Sequence, residues 1–152
     1  MKKLKLYKIS EKYIHFLRAV DPVNVKYNKK ERRPYVGVVL EIQQFFYFAP
    51  LASPKPKHLT MKNSLDFIKI DGGTLGVINL NNMIPVTKDA LLELEIEKED
   101  EKYRNLLYAQ IHFINQHTEE ICKKAQKLYL SVTKYHSYLE NRCAKFKELE
   151  KK

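Results

Sequence analysis

Within six residues, Ser53-Pro54-Lys55-Pro56-Lys57-His58, the chain sets a hydroxyl, two ammonium groups and an imidazole. Pro54 and Pro56, following Pro50, fix φ and remove backbone donors, so the segment is stiffened into a turn or a polyproline-like path and cannot extend a sheet ladder. A stiff loop leaving a core strand holds its side chains at fixed positions, which is how sites are commonly built. Cations and a hydroxyl held this way suit a reaction at a phosphate. RNA supplies its own nucleophile for that reaction. Its 2′-hydroxyl can attack the neighbouring phosphorus and expel the 5′-oxygen, and the protein then has to orient the nucleotide, stabilise charge on the phosphoryl oxygens and move two protons.

In that scheme Lys55 stabilises the phosphate, with Arg33 approaching from the loop before the preceding strand. Ser53 hydrogen-bonds the scissile phosphate or the attacking hydroxyl. Tyr27 orients the substrate or protonates the leaving oxygen, and the general base is left open. Beside two lysines, His58 could contact RNA, act as an acid or base, or serve as a neutral structural residue. No Walker loop, Rossmann glycine pattern, GxSxG elbow or carboxylate cluster is present, and the chain has only four glycines. Cys122 and Cys143 lack metal or disulfide spacing and are expected to be reduced, buried thiols. His112 and His117, five apart, miss the HExxH pattern, so neither a metal nor any other cofactor is expected.

Charge is unevenly placed. Of the formal net +10, the stretch from Lys26 to Lys62 holds eight cations (Lys26, Lys29, Lys30, Arg32, Arg33, Lys55, Lys57, Lys62) against Glu31 and Glu41, whereas Lys88 to Lys152 carries 13 basic and 12 acidic residues. A solvated face usually mixes signs, so the first stretch reads as an anion-binding surface. Tyr27 among those cations suits single-stranded nucleic acid, where bases stack on rings and phosphates meet Lys and Arg; a plain surface loop with one tyrosine is the alternative. Lys26, Lys29, Lys30, Arg32, Lys57, His58 and Lys62 are the expected RNA-binding set, outside the catalytic group Tyr27, Arg33, Ser53 and Lys55.

The elements that position these residues follow from pattern. Leu4, Leu6 and Ile9 predict a short strand, and Ser10 caps a helix whose face is Tyr13, Ile14, Leu17 and Val20, with His15 and Arg18 on its surface unless RNA covers them. Residues 21–34 read as a flexible loop. Tyr35–Ile42 and Phe45–Ala49, separated by Gln43-Gln44, predict a hairpin whose second strand stops at Pro50. Further short strands are expected over 66–70, 75–80, 83–86 and an edge at 91–96 whose glutamates face solvent, with a turn at Asp71-Gly72-Gly73. From about Glu99 the period becomes helical, with a second helix from Thr118 and a short last helix near 143–150.

These segments carry a resemblance. RRPYVGVVLEI, APLASPKPKH, DFIKIDGGTLGVINLNNMIPV, YRNLLYAQIHFIN and the terminal FKELE, in this order, are similar to the ToxN/AbiQ family of type III toxin–antitoxin endoribonucleases. The resemblance implies a metal-independent cleavage of single-stranded RNA leaving 2′,3′-cyclic phosphate ends, and inhibition by a small structured repeat RNA that the toxin also processes. It implies assemblies in which RNA bridges protein copies, target mRNA as substrate, and a role in phage defence. Carried over, the family's site falls on Tyr27, Ser53 and Lys55, with Arg33 standing where a relative has lysine. Ala52 departs from the Thr or Ser that relatives often place before Ser-Pro-Lys.

The expected class is therefore α+β: a compact, twisted, mostly antiparallel sheet flanked by helices, with a helical C-terminal half and one domain over 1–152. A non-catalytic RNA-binding protein using the same basic groove is the alternative. No run approaches the roughly 20 apolar residues of a membrane span, and the opening MKKLKLYKIS alternates polar and apolar residues, so a cytoplasmic protein without a membrane partner is expected.

Overall fold

The computed structural model describes residues 3–152. Its centre is the hairpin of β2 (Tyr35–Ile42) and β3 (Phe45–Ala52), joined by a two-residue turn in which Gln43 takes φ 55. Both strands are nearly continuous runs of β-branched and aromatic residues, because both faces are covered and no polar alternation is needed. The other strands are short: β1 (Lys5–Ile9), β4 (Ile68–Lys69), β5 (Val77–Ile78), β6 (Ile84–Pro85) and β7 (Leu91–Glu93). They assemble in the order β4-β5-β3-β2-β1-β7, with β6 also on β3. Every paired neighbour is antiparallel. As expected, β7 closes one edge, and Glu93, Glu95 and Glu97 are exposed there.

β3 does not stop at Pro50. It runs to Ala52 and changes partner on the way, pairing Tyr47 and Phe48 with β6 and then Leu51 and Ala52 with β5. Pro50 lacks only a donor. Its carbonyl accepts from Asn79 N at 3.0 Å, and the next donor, Leu51 N, reaches Pro34 O at 3.0 Å, so the ladder is carried past the proline by its neighbours.

Helix α1 (Glu11–Arg18) opens as the sequence predicts, with Ser10 Oγ accepting from Tyr13 N at 3.2 Å and Ile14 and Leu17 buried. α3 (Glu101–Gln116) and α4 (Thr118–Thr133) abut with only His117 between them. They bury Leu107, Ile114, Ile121, Ala125 and Leu128 in the same core cluster as Val36, Val39 and Phe48. The last helix, α5 (Phe146–Glu150), is tied to both layers: Tyr47 Oη and Tyr129 Oη donate to Glu150 Oε2 at 2.5 and 2.7 Å, and the Phe146 ring stacks on Tyr129. Cys143 is buried, which pushes its thiol up to about 12, and Cys122 is half-buried on α4; neither takes part in a disulfide. Among the described residues no helix is long and apolar enough to cross a membrane.

The segment before β2 is not a loose loop. Asp21 is buried and accepts from Asn24 N at 3.1 Å and, across the chain, from Lys145 N at 2.9 Å. Val25 and Asn28 are buried as well, and Glu31 Oε2 accepts from Glu11 N at the first turn of α1. The sequence showed these residues as polar and therefore free. Two of the partners that pin them, Glu11 for Glu31 and Lys145 for Asp21, lie 20 and 124 residues away, beyond any local pattern.

Candidate active site

At its C-terminal end β3 delivers Ala52, Ser53, Pro54 and Lys55 to the surface, where the chain turns into the single-turn helix α2 (Lys57–Thr60). Two glycines lie against this bend. A Cβ on Gly76 would sit 2.0 Å from Ala52 O, and one on Gly73 would sit 2.3 Å from His58 O; both residues take φ +99. Only glycine allows that approach and that dihedral. We therefore expect Gly76→Ala to push the strand end outward and lower catalytic turnover at least about tenfold, since displacements near 1 Å can cost 10²-fold. Stopped-time cleavage assays on the folded variant check this, and an unchanged turnover number refutes it.

The bend faces the Tyr27–Pro34 segment across a cleft of about 400 Å³ lined by Tyr27, Asn28, Lys29, Arg32, Arg33, Pro34, Leu51, Ala52, Ser53, Lys55 and Tyr103. Four of these are cations, and among the described residues no carboxylate lines the cleft. Ser53 and Lys55 are both exposed and open into it together. Four sequence-derived candidates thus meet, Tyr27, Arg33, Ser53 and Lys55, joined by Lys29 and Arg32 from the expected RNA-binding set.

The remaining candidates lie elsewhere. Lys26 is half-buried, Lys30 is exposed with φ 54, and Lys57 is exposed on α2; none of them lines the cleft. Lys62 borders a different depression, beside Asn63, Asp66 and Arg142. His58 is 2% exposed, which removes it from direct contact with a ligand; its Nδ1 accepts from Lys55 N at 3.1 Å. Of the roles open to His58 in the sequence, RNA contact, acid–base chemistry or a neutral structural residue, burial leaves the last, so it drops out of the expected RNA-binding set. A separate depression of about 660 Å³ at the α3–α4 junction mixes Glu119 and Glu120 with Lys123, Lys124 and Lys127 and contains none of the candidates.

Three residues that hold the cleft escaped the sequence reading. Asn28, 1% exposed, donates to Ile9 O at 2.8 Å and accepts from Arg33 N at 3.0 Å, so it fastens the cationic segment to β1. Arg18, expected on the surface, is half-buried: its Nη1 donates to Val25 O at 2.5 Å, and its guanidinium lies 5.6 Å from the centre of the Tyr27 ring. Tyr103, in the first turn of α3, supplies a second aromatic wall. Burial, and then the nearby Glu99 carboxylate, raises its phenol, so it stays protonated. Arg33 Nε is buried without a hydrogen-bond partner, a cost normally met by an acceptor.

Residues 5–152 match the sequence profile of the family described as Toxin ToxN, type III toxin–antitoxin system. The chain belongs to the ToxN family. It is 34% identical to the endoribonuclease ToxN of Bacillus thuringiensis subsp. kurstaki, with 97% of this chain and 81% of the relative covered. It is 30% identical to the endoribonuclease AbiQ of Lactococcus lactis subsp. lactis, covering 98% and 87%. Among solved structures, one reporting selective toxin inhibition by a non-coding RNA pseudoknot in a type III system superposes with TM-score 0.85 at 32% identity over 99% of this chain and 95% of that one. The structure of AbiQ, an anti-phage endoribonuclease, gives TM-score 0.81 at 27% identity over 99% and 95%. The twisted antiparallel sheet with flanking helices is thus the ToxN-family fold.

Proposed function

We propose that this ToxN-family chain is an endoribonuclease toxin that cuts single-stranded RNA without a metal. The 2′-oxygen attacks the adjacent phosphorus and the P–O5′ bond breaks, leaving a 2′,3′-cyclic phosphate and a 5′-hydroxyl; the 2′-hydroxyl proton leaves and O5′ gains one. The observation that carries this reading is that Ser53 and Lys55 open together into a cationic cleft free of carboxylates. A divalent ion prefers oxygen ligands, and this cleft instead offers ammonium and guanidinium groups, which suit the dianionic phosphorane directly.

Lys55 and Arg33 hold the phosphoryl oxygens, the otherwise unpartnered Arg33 Nε being a donor of the right kind. Ser53 fixes the scissile phosphate or the attacking hydroxyl. Tyr27 orients the nucleotide or protonates O5′, and with Tyr103 it gives splayed bases two aromatic surfaces. Lys29 and Arg32 track the backbone. A small structured repeat RNA, processed by the same site, then fills the cleft as antitoxin and bridges protein copies, while the targets are cytoplasmic mRNAs.

The test is the chemistry of the ends. Purified protein incubated with single-stranded RNA in excess EDTA is expected to give 2′,3′-cyclic phosphate and 5′-hydroxyl termini. Intact RNA that nevertheless binds would mean a non-catalytic RNA-binding protein, the reading favoured by Ala52 in place of a hydroxyl residue. Cleavage that EDTA abolishes, or 5′-phosphate ends, would overturn the mechanism.

A further inference from the structure

Lys55 does not hold its own position. Pro54 and Pro56 stiffen the path of the chain, and Pro56 biases Lys55 toward extended backbone, but the hydrogen bonds that close the bend around Lys55 are made with one residue. His58 N donates to Lys55 O at 2.9 Å, and Lys55 N donates to His58 Nδ1 at 3.1 Å. The two bonds close a reciprocal clasp around the Ser53–His58 bend. A backbone N–H can only donate, so Nδ1 must present its lone pair and the imidazole proton must sit on Nε2. His58 is 2% exposed, so its side chain has little room to turn away from this pose, and the close approach of Gly73 to the His58 carbonyl fixes the backbone that carries it.

We propose that His58 is a positioning residue whose neutral imidazole clamps the Lys55 backbone, so that acid opens the clasp, moves the Lys55 ammonium group out of register and slows RNA cleavage. This inference rests on the proposed ribonuclease reading. Protonated Nδ1 is a donor, and two donors facing each other at hydrogen-bond distance repel; the bond is not weakened but reversed in sign.

The surroundings agree on which form is held. Burial lowers the imidazole below the ordinary histidine value of 6.5, and the Lys57 and Lys55 ammonium groups lower it further. In the turn packed against it, Ile70–Gly73, the one ionisable group is Asp71, whose carboxylate accepts from Thr74 Oγ1 at 3.2 Å. The sign follows. A folded value below 6.5 means that the clasp is intact at neutral pH, and that its contribution is lost as pH falls through the folded value. The His58 beside the catalytic lysine therefore acts on the rate without touching RNA.

Three variants and one spectrum test this. Turnover number and KM are measured for a short single-stranded RNA from about pH 5 to 8. The wild type is expected to lose turnover by about tenfold per pH unit on an acid limb, with KM much less affected. In His58→Asn the amide oxygen can take the place of Nδ1 as acceptor and does not titrate, so neutral turnover should be retained and that limb should vanish. In His58→Ala turnover should be roughly 10- to 100-fold lower at every pH, with RNA binding kept. His58→Gln, whose acceptor sits one carbon further out, should not rescue.

An acid limb that persists in His58→Asn overturns the proposal, as does a folded His58→Asn as slow as His58→Ala, or a His58→Ala with the wild-type profile. Should the variants misfold, nitrogen chemical shifts of the wild-type imidazole decide. An Nε2–H tautomer titrating together with the limb supports the clasp, and an Nδ1–H tautomer or a non-coincident titration refutes it. A protein that leaves RNA intact at every pH would instead sink the ribonuclease reading on which this rests.

Discussion

Lys55→Ala is expected to slow single-turnover RNA cleavage by about 10²- to 10³-fold, the usual cost of removing one electrostatic donor from a preorganised site, while reducing RNA affinity far less. The asymmetry has a geometric origin. Lys29, Arg32 and Arg33 remain in the cleft to hold the backbone, whereas Lys55 is the cation fixed beside Ser53 on the bend itself. In the mechanism proposed above, charge on the phosphoryl oxygens grows only as the 2′-oxygen arrives, so a group aligned to that charge contributes to the rate more than to the ground state. Lys55→Arg should recover only part of the loss, because a broad planar guanidinium does not reproduce a compact ammonium at one point. Affinity is read with the same RNA carrying a 2′-deoxy sugar at the cut, which binds but cannot react. The slope of log affinity against log salt should fall by about 0.7, one single-strand phosphate contact. Equal losses of binding and rate would show that Lys55 is merely one more surface cation.

The largest effect on stability is expected at Glu150. Its side chain is 6% exposed, and one carboxylate oxygen receives both the buried Tyr47 hydroxyl and that of Tyr129. Glu150→Ala leaves two phenols without an acceptor in a closed site, at about 1–3 kcal/mol each. For a chain of this size that corresponds to roughly 5–15 °C in Tm. Glu150→Gln keeps an oxygen with two lone pairs and should lose much less; a thermal melt of the two variants separates them, and equal losses would point to the charge, not the hydrogen bonds.

The same network sets an alkaline limit. Burial first, and then the Glu150 carboxylate, raises the Tyr47 and Tyr129 phenols, and burial pushes Tyr13 and Tyr35 up to about 12. Folded values above the ordinary 10 mean that this stability is intact below pH 10 and is lost progressively from there up to the folded values, about 12 for Tyr13 and Tyr35, because the unfolded chain releases protons the folded one keeps.

Much of the candidate cleft was legible because its constraints are local. Pro54 and Pro56 restrict their own dihedrals, the two-residue spacing at Gln43-Gln44 sets the hairpin, and the cluster of cations around Tyr27 needs no partner to be recognised. Where the reading failed, the deciding partner was distant. Pro50 looked like the end of β3 because its missing donor is visible in the sequence, while the Asn79 and Pro34 groups that carry the ladder past it are not. Tyr103 looked like one more aromatic on a helix stripe, and only the docking of α3 brings it to the cleft.

The sequence by itself determined the α+β class, the order of the elements, the cationic bias of residues 26–62 and the side chains that could meet a phosphate, since periodicity, proline geometry and charge act over a few residues. Tertiary structure alone decided which cations share a cleft, that residues 21–34 are pinned by Asp21 and Asn28, and that His58 lies beneath the surface while Lys55 stays above it. Burial is a property of what packs against a residue, and the Ile70–Gly73 turn that approaches the His58 carbonyl lies up to fifteen positions along the chain, beyond any window around His58.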